Sequence, residues 1–224
     1  MTQLLDIKNA SRIIKSGGNK IKLLDAIDLK VKEGEFISLM GPSGSGKSTL
    51  LNCIGMLDDF TEGDYTFLEE SVHKMKEKHR VKLYQEYIGF VFQAYHLIDE
   101  LTVEENIETP LLYKNIKSKE RKALVADMLD RFNIVGKKKL FPEQLSGGQQ
   151  QLVGVARALV ANPKLILADE PTGNLNSKQS QEIMELFAKL NEEGVTIIQA
   201  THSDENADYG SRIVNLLDGK IVTD

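Results

Sequence analysis

Nine consecutive residues constrain this chain more than any others: Gly41-Pro42-Ser43-Gly44-Ser45-Gly46-Lys47-Ser48-Thr49. They fit the pattern G-x-x-x-x-G-K-[ST], and the flanking sequence suits it. Before them, residues 36–40 are mostly apolar rather than alternating, as in a strand buried on both faces. After them, Leu50, Ile54 and Leu57 recur at helical spacing, which predicts a helix over 47–57. Glycines let such a loop turn its backbone N–H groups toward a phosphate. A helix starting near Lys47 aims its positive end at the same anion. In this pattern the Lys47 ammonium reaches the β- and γ-phosphates and the Ser48 hydroxyl ligates Mg²⁺. The other reading is a Gly/Ser-rich turn that binds nothing, and the strand–loop–helix context tells against it.

A second acidic feature lies downstream. Residues 165–168 form an apolar run that stops at Asp169-Glu170. In open parallel sheets ligands sit beyond the carboxyl ends of the strands, which would bring these carboxylates to the phosphates. Asp169 is then the candidate Mg²⁺ partner, and Glu170 the candidate general base or water-orienting group. Two acids after a strand, taken alone, are more often a solvated loop; the phosphate loop reverses that.

The rest of the pattern is α/β. Short strands are predicted at 4–8, 26–31, 88–92 and 195–200, with a turn at Glu33-Gly34 and a hairpin turn at Asp218-Gly219. The middle of the chain, about 93–161, reads as helical. Thr102 with Glu105 and Ser146 with Gln149 are capping boxes. Leu124, Met128 and Phe132 repeat at four-residue spacing, and Asn162-Pro163 ends the last helix. At 224 residues the chain has room for one domain with a subdomain: a core from 1–92 and 162–224, and a helical insert between them.

Composition excludes several classes. The net charge of −5 argues against a broad nucleic-acid footprint. The one cysteine, Cys53, forms no internal disulfide and reads as core filler. No apolar run approaches the ~18 residues that span a bilayer, and the N-terminus lacks the order of a secretory signal. Lys137-Lys138-Lys139 is too small a basic run for lipid anchoring, which usually takes a larger cluster of about 4–8 charges. His73, His79 and His96 have no chemical context.

Between the two acidic and glycine-rich elements stands Leu145-Ser146-Gly147-Gly148-Gln149-Gln150. This string resembles the signature of the ATP-binding cassette ATPases, and the other motifs of that family follow in order. Gln93 matches the glutamine loop, Asp169 and Glu170 the Walker B end, Gly173-Asn174-Leu175-Asn176 the D-loop, and His202 the switch histidine. The match runs from about residue 4 to 222.

The resemblance implies an α/β fold with a P-loop NTPase core, an N-terminal antiparallel β subdomain and an inserted α-helical subdomain. It implies ATP hydrolysis with Mg²⁺, the ion held by Ser48, Gln93 and Asp169. Glu170, His202 and Gln93 would be catalytic. Two cassettes would pair head to tail, so that Ser146, Gly147, Gly148 and Gln149 of one complete the ATP site of the other.

Further strings resemble one subgroup, which serves lipoprotein release, macrolide or peptide export and cell division: Ile88-Gly-Phe-Val-Phe-Gln93, Leu101-Thr-Val-Glu-Glu-Asn106 and Asp169-Glu-Pro-Thr-Gly-Asn-Leu175. The implied partners are a second cassette, most simply a copy of this chain, and an integral-membrane permease with a large extracytoplasmic domain, with no nucleic acid. The implied location is the cytoplasmic face of the inner membrane, and the lack of a regulatory extension after Asp224 fits the group. Tyr95, His96, Leu97 and Ile98 lie where the family forms part of the groove for a permease's coupling helix. Two rival readings are a soluble cassette ATPase acting on nucleic acid or ribosomes, and an ATP-gated dimerisation module with little hydrolysis.

Three positions depart from the family. No aromatic residue occurs near Ile14, where one usually stacks on adenine. Losing it costs on the order of 1–3 kcal/mol, and predicts weaker or less base-selective binding. Asn176 replaces the usual D-loop aspartate, which either slows hydrolysis or is a tolerated near-isostere. Leu152 replaces a common arginine.

Overall fold

The computed structural model describes residues 2–222. A long antiparallel hairpin opens the chain, β1 (Gln3–Ser16) and β2 (Asn19–Lys32), followed by β3 (Phe36–Met40) and α1 (Lys47–Ile54). Next come β4 (Glu62–Phe67), β5 (Glu70–Ser71), α2 (Glu77–Tyr87) and β6 (Ile88–Phe92). The helical stretch contributes α3 (Val103–Glu108), α4 (Ser118–Arg131) and α5 (Gly147–Leu159). The chain then returns through β7 (Leu165–Asp169), α6 (Ser177–Glu192), β8 (Thr196–Thr201), α7 (Asp204–Ala207), β9 (Arg212–Leu217) and β10 (Lys220–Val222).

Two sheets result. One is four-stranded and antiparallel, in the order β2-β1-β4-β5. The other is six-stranded, in the order β10-β9-β3-β8-β7-β6, parallel except for β10. The parallel strands read as near-continuous apolar runs because both faces are covered. Side chains alternate between two cores. Ile37, Leu39, Leu165, Leu167, Ile198 and Ala200 join α1 and the antiparallel sheet. Phe36, Ile166, Ala168 and Ile197 face the other way, onto α5, α6 and the helical segment.

Several local expectations change. The first helix stops at Ile54, three residues short of the predicted end. Gly55 is its C-cap and Met56 follows at φ +61°, where a helix cannot continue, while a Cβ at Gly55 would come within 1.9 Å of the Phe90 ring. Leu57 therefore leaves the helical stripe and is half exposed. The predicted strands at 4–8 and 26–31 are parts of much longer strands. On α4 the deepest residues are Val125 and Leu129, with Leu124 and Met128 only partly buried beside them. The core covers two adjacent rows of that helix, and apolar spacing alone picked the shallower row. Both capping boxes form as expected, and Asp218 and Gly219 both take positive φ, as a tight hairpin turn needs.

Candidate functional site

Four neighbouring parallel strands, in the order β6-β7-β8-β3, deliver the site residues from their carboxyl ends. β6 is followed by Gln93, β7 ends at Asp169 with Glu170 next, β8 is followed by His202, and β3 runs into the glycine-rich loop. These positions are scattered over the sequence and become adjacent only through strand order. They line a cleft of about 920 Å³ with Ser43, Gly44, Gly46, Lys47, Ser48, Thr49, Gln93, Glu170 and His202.

The loop folds tightly against the sheet. Gly41 has φ +153°, and a Cβ there would meet the Leu216 carbonyl oxygen at 2.1 Å. Gly46 has φ +105° and opens α1 with no side chain capping the helix. The Lys47 side chain is buried, and its ammonium donates to the carbonyl oxygens of Gly41 (2.7 Å) and Pro42 (3.1 Å). The Ser45 hydroxyl is buried without a hydrogen-bond partner among the described residues. A buried ammonium hydrogen-bonded only to carbonyl oxygens, beside uncapped helix N–H groups, concentrates positive potential at the loop. That suits an anion such as phosphate.

The acidic side is built separately. Ser48 Oγ donates to Asp169 Oδ1 at 3.0 Å. Burial pushes the Asp169 carboxyl above the ordinary carboxylate range; the Ser48 hydrogen bond and Lys47 oppose that, and Glu170 adds to it. Glu170 sits at φ +47°, a conformation that non-glycine residues hold at a cost and that clusters at functional sites. Its carboxylate oxygens lie 2.9 and 3.0 Å from His202 Nδ1.

Gln93 lies against the turn after Glu170. Its Nε2 donates to Asn174 Oδ1 at 3.3 Å, and Asn174 Nδ2 donates to the Gln93 carbonyl at 3.0 Å. The backbone then turns back through Tyr95 and His96, both at positive φ, whose carbonyls accept from Arg157 at 2.9 and 2.5 Å. Beside this turn lies a largely apolar groove of about 530 Å³, which includes Phe90, Phe92, His96, Pro110 and Tyr113.

The signature residues do not enter the cleft of their own chain. Ser146 caps α5, and Gln149 closes the box. Asn176 caps α6, accepting from the Gln179 backbone N–H and donating to its side chain, each at 3.0 Å. Asn and Asp are equally good caps, so the exchange leaves this local role intact. The wall beyond the phosphate loop carries no aromatic residue; Ile21, Lys22 and Leu23 of β2 line it, with Asp218 and Gly219. Ile14 pairs across the hairpin with Ile21 and shares its sheet face, but Ile21 and not Ile14 lines the cleft. Leu152 packs partly buried against the helical core, where an arginine would need a polar partner.

Asn174, Arg157, Ile21 and Leu23 escaped a motif-based reading. Only Asn174 lay inside a recognised string, and nothing in that string says which strand end it touches.

Comparison with known proteins agrees with this geometry. The ABC transporter family matches residues 24–173. The uncharacterised ABC transporter ATP-binding protein YvrO of Bacillus subtilis is 44% identical over 221 residues, covering 99% of this chain and 96% of its own. The macrolide export ATP-binding/permease protein MacB of Wolinella succinogenes is 42% identical over 218 residues, covering 97% of this chain but 34% of that longer protein. Among solved structures, the dimeric, post-hydrolysis ATP-binding cassette MJ0796, bound to ADP and Pi, superposes with a TM-score of 0.91 at 42% identity, covering 98% of this chain and 97% of that one.

The fold is therefore the P-loop cassette of an ATP-hydrolysing domain, α/β with an antiparallel N-terminal sheet. The chain belongs to the ABC transporter family and is its ATP-binding subunit, with relatives that include MacB-type exporters. Among the described residues no helix is long and apolar enough to cross a membrane.

Proposed function

We propose that this chain hydrolyses ATP to drive a separate membrane permease by cycles of dimer closure, in export, lipoprotein release or mechanical transmission across the inner membrane. The observation that carries this reading is the convergence of Lys47, Ser48, Gln93, Asp169, Glu170 and His202 at four adjacent strand ends. In it the loop from Gly41 to Thr49 wraps the phosphates, and Lys47 exchanges its carbonyl partners for phosphate oxygens. Glu170 takes a proton from a water whose oxygen attacks the γ-phosphorus, and the bond to the β-bridging oxygen breaks to leave ADP. His202, already against Glu170, holds that carboxylate in line. Most of the rate enhancement comes from positioning and charge stabilisation.

The oxygen donors Ser48, Asp169 and Gln93 suit Mg²⁺, which usually takes one or two carboxylates together with substrate phosphates. Among the described residues no cluster of three or more His, Cys, Asp or Glu offers an all-protein cage. When bound, the ion would neutralise charge on the β- and γ-phosphates.

Ser146, Gly147, Gly148 and Gln149, which do not line their own cleft, fit a role at the ATP of a partner cassette, as does the dimeric state of the MJ0796 relative. In MacB the cassette is part of a longer ATP-binding/permease protein. The groove beside Gln93 has the apolar lining that receives an amphipathic helix, here one from a permease with a large extracytoplasmic domain. That would hold the subunit on the cytoplasmic face of the membrane. The wall at Ile21, Lys22 and Leu23 offers no aromatic face to stack on a base, so ATP and GTP should bind with similar affinity.

The test is co-purification from gently solubilised membranes, followed by phosphate release from the recovered complex. A stoichiometric permease with ATP-dependent turnover is expected. Recovery only with ribosomes or nucleic acid would overturn the reading.

A further inference from the structure

The site holds Gln93 through a residue to which the proposed chemistry gives no task. Asn174 stands on the turn after Glu170 and bonds Gln93 at two points, accepting from its side chain and donating to its main chain. A carbonyl oxygen can only accept, so the Asn174 amide must present Nδ2 to the Gln93 backbone. Its Oδ1 is thereby turned to the Gln93 side chain, where it can only accept. Gln93 must then offer Nε2 to Asn174, which leaves its Oε1 as the free end of the amide. The chain of donors and acceptors thus has one consistent orientation, set by the main chain.

The neighbouring residues make this a firm handle. The buried Gln151 of α5 donates to the Pro171 carbonyl at 2.6 Å. Asn206 of α7 donates to Thr172 Oγ1 at 2.8 Å. Gly173 leaves room for the Gln93 side chain, since a Cβ there would stand 2.5 Å from Nε2. The turn is pinned on two sides, and Asn174 transfers that order to an otherwise exposed glutamine.

We propose that Asn174 is a positioning residue that sets the orientation of the Gln93 amide, so that its oxygen rather than its nitrogen is available to a hard cation in the cleft. The proposal rests on the reading of Gln93 as a Mg²⁺ contact. A glutamine free to flip would present the repelling N–H end part of the time and would sample many rotamers. Asn174 removes both costs before nucleotide arrives.

The pairing itself is tested in the nucleotide-free full chain by side-chain amide NMR. Loss of one amide pair in Gln93→Ala identifies the Gln93 signals. In the wild type they should be shifted from a free glutamine amide and exchange slowly; in Asn174→Ala they should move to the free position. Asn174 is exposed, so the variant should fold. Signals that do not move would overturn the proposal.

The consequence is tested by titrating a fluorescent ATP analogue with and without Mg²⁺. Asn174→Ala should reduce the gain in affinity that Mg²⁺ provides by about 3- to 10-fold, the worth of an ordinary hydrogen bond, and leave Mg²⁺-free binding unchanged. Asn174→Asp, which can accept from Nε2 but cannot donate to the carbonyl, should fall between. Adding Asn174→Ala to Gln93→Ala should have no further effect. Additive losses would mean that Asn174 acts independently of Gln93, and would overturn the proposal. If Gln93→Ala alone leaves the Mg²⁺ gain intact, the underlying reading of Gln93 fails, and the NMR arm still shows whether the two side chains pair.

Discussion

Two helices in this molecule begin at glycine-containing turns, and they satisfy their first N–H groups in opposite ways. α1 starts from Gly46 with no side-chain cap, next to a buried ammonium. α5 starts from Ser146, whose Oγ accepts from Gln149 N while the Ser146 N–H donates to Gln149 Oε1. Every helix start leaves unpaired donors. At α1 the loop leaves them for a ligand; at α5 the protein supplies its own acceptors. The first start should therefore bind phosphate as a single chain. The second is stable without ligand, and in the proposed dimer its hydroxyl proton would be spared for an acceptor brought by the partner.

Glu170→Gln should have the largest effect, since it removes the proposed proton acceptor and leaves both helix starts intact. Phosphate release should fall by about 10²- to 10⁴-fold. ATP should accumulate in a dimer visible by size exclusion; normal turnover would remove Glu170 as the base. Lys47→Ala strikes the open start directly. ATP affinity of the single chain should weaken by about 10- to 100-fold, the worth of a charge-assisted hydrogen bond.

Ser146→Ala sharpens the comparison. It should cost about 1 kcal/mol of stability through the lost cap, and weaken ATP-driven pairing. Single-chain ATP affinity should stay unchanged, and a fall there would mean that the two starts are not distinct. Asn176→Asp should leave the melting temperature almost unmoved, because the cap survives. A rise in turnover would show that the amide slows hydrolysis, and an unchanged rate that it is a tolerated near-isostere.

The smallest effect concerns the face of α1 turned away from the ligand. Burial pushes the Cys53 thiol up from 9.0 to about 12. Alkylation at pH 8 should be slow in the folded chain and ordinary in denaturant. Because the folded chain disfavours the thiolate, this group's contribution to stability is present below pH 9.0 and declines as pH rises toward 12.

Much of the site was legible because its motifs are local. The phosphate loop needs its glycines and lysine at fixed spacing, and both capping boxes are four-residue patterns. α2 was missed because its sequence is polar almost throughout and only Leu83 is buried, so it carries no apolar period. Apolar spacing carried Leu57 into a helix that stops before it, because Met56 turns to φ +61° and the capping Gly55 packs under Phe90, a residue far along the chain.

By itself, then, the sequence singled out candidates for the chemistry: Lys47, Ser48, Asp169 and Glu170 from a glycine-rich loop and an acidic strand end, and His202 and Ser146 from their resemblance to the cassette motifs. The first four are readable because a loop or a strand end imposes its residue types on a few neighbours. Only the tertiary structure decided which of them meet. The order β6-β7-β8-β3 sets Gln93 beside the turn after Glu170 and sets His202 against Glu170. The antiparallel sheet, packed beside these strands, brings Ile21 and Leu23 of β2, rather than Ile14, to the cleft wall. Such adjacency comes from strand pairing and from burying two apolar faces at once, and neither leaves a trace at short range in the chain.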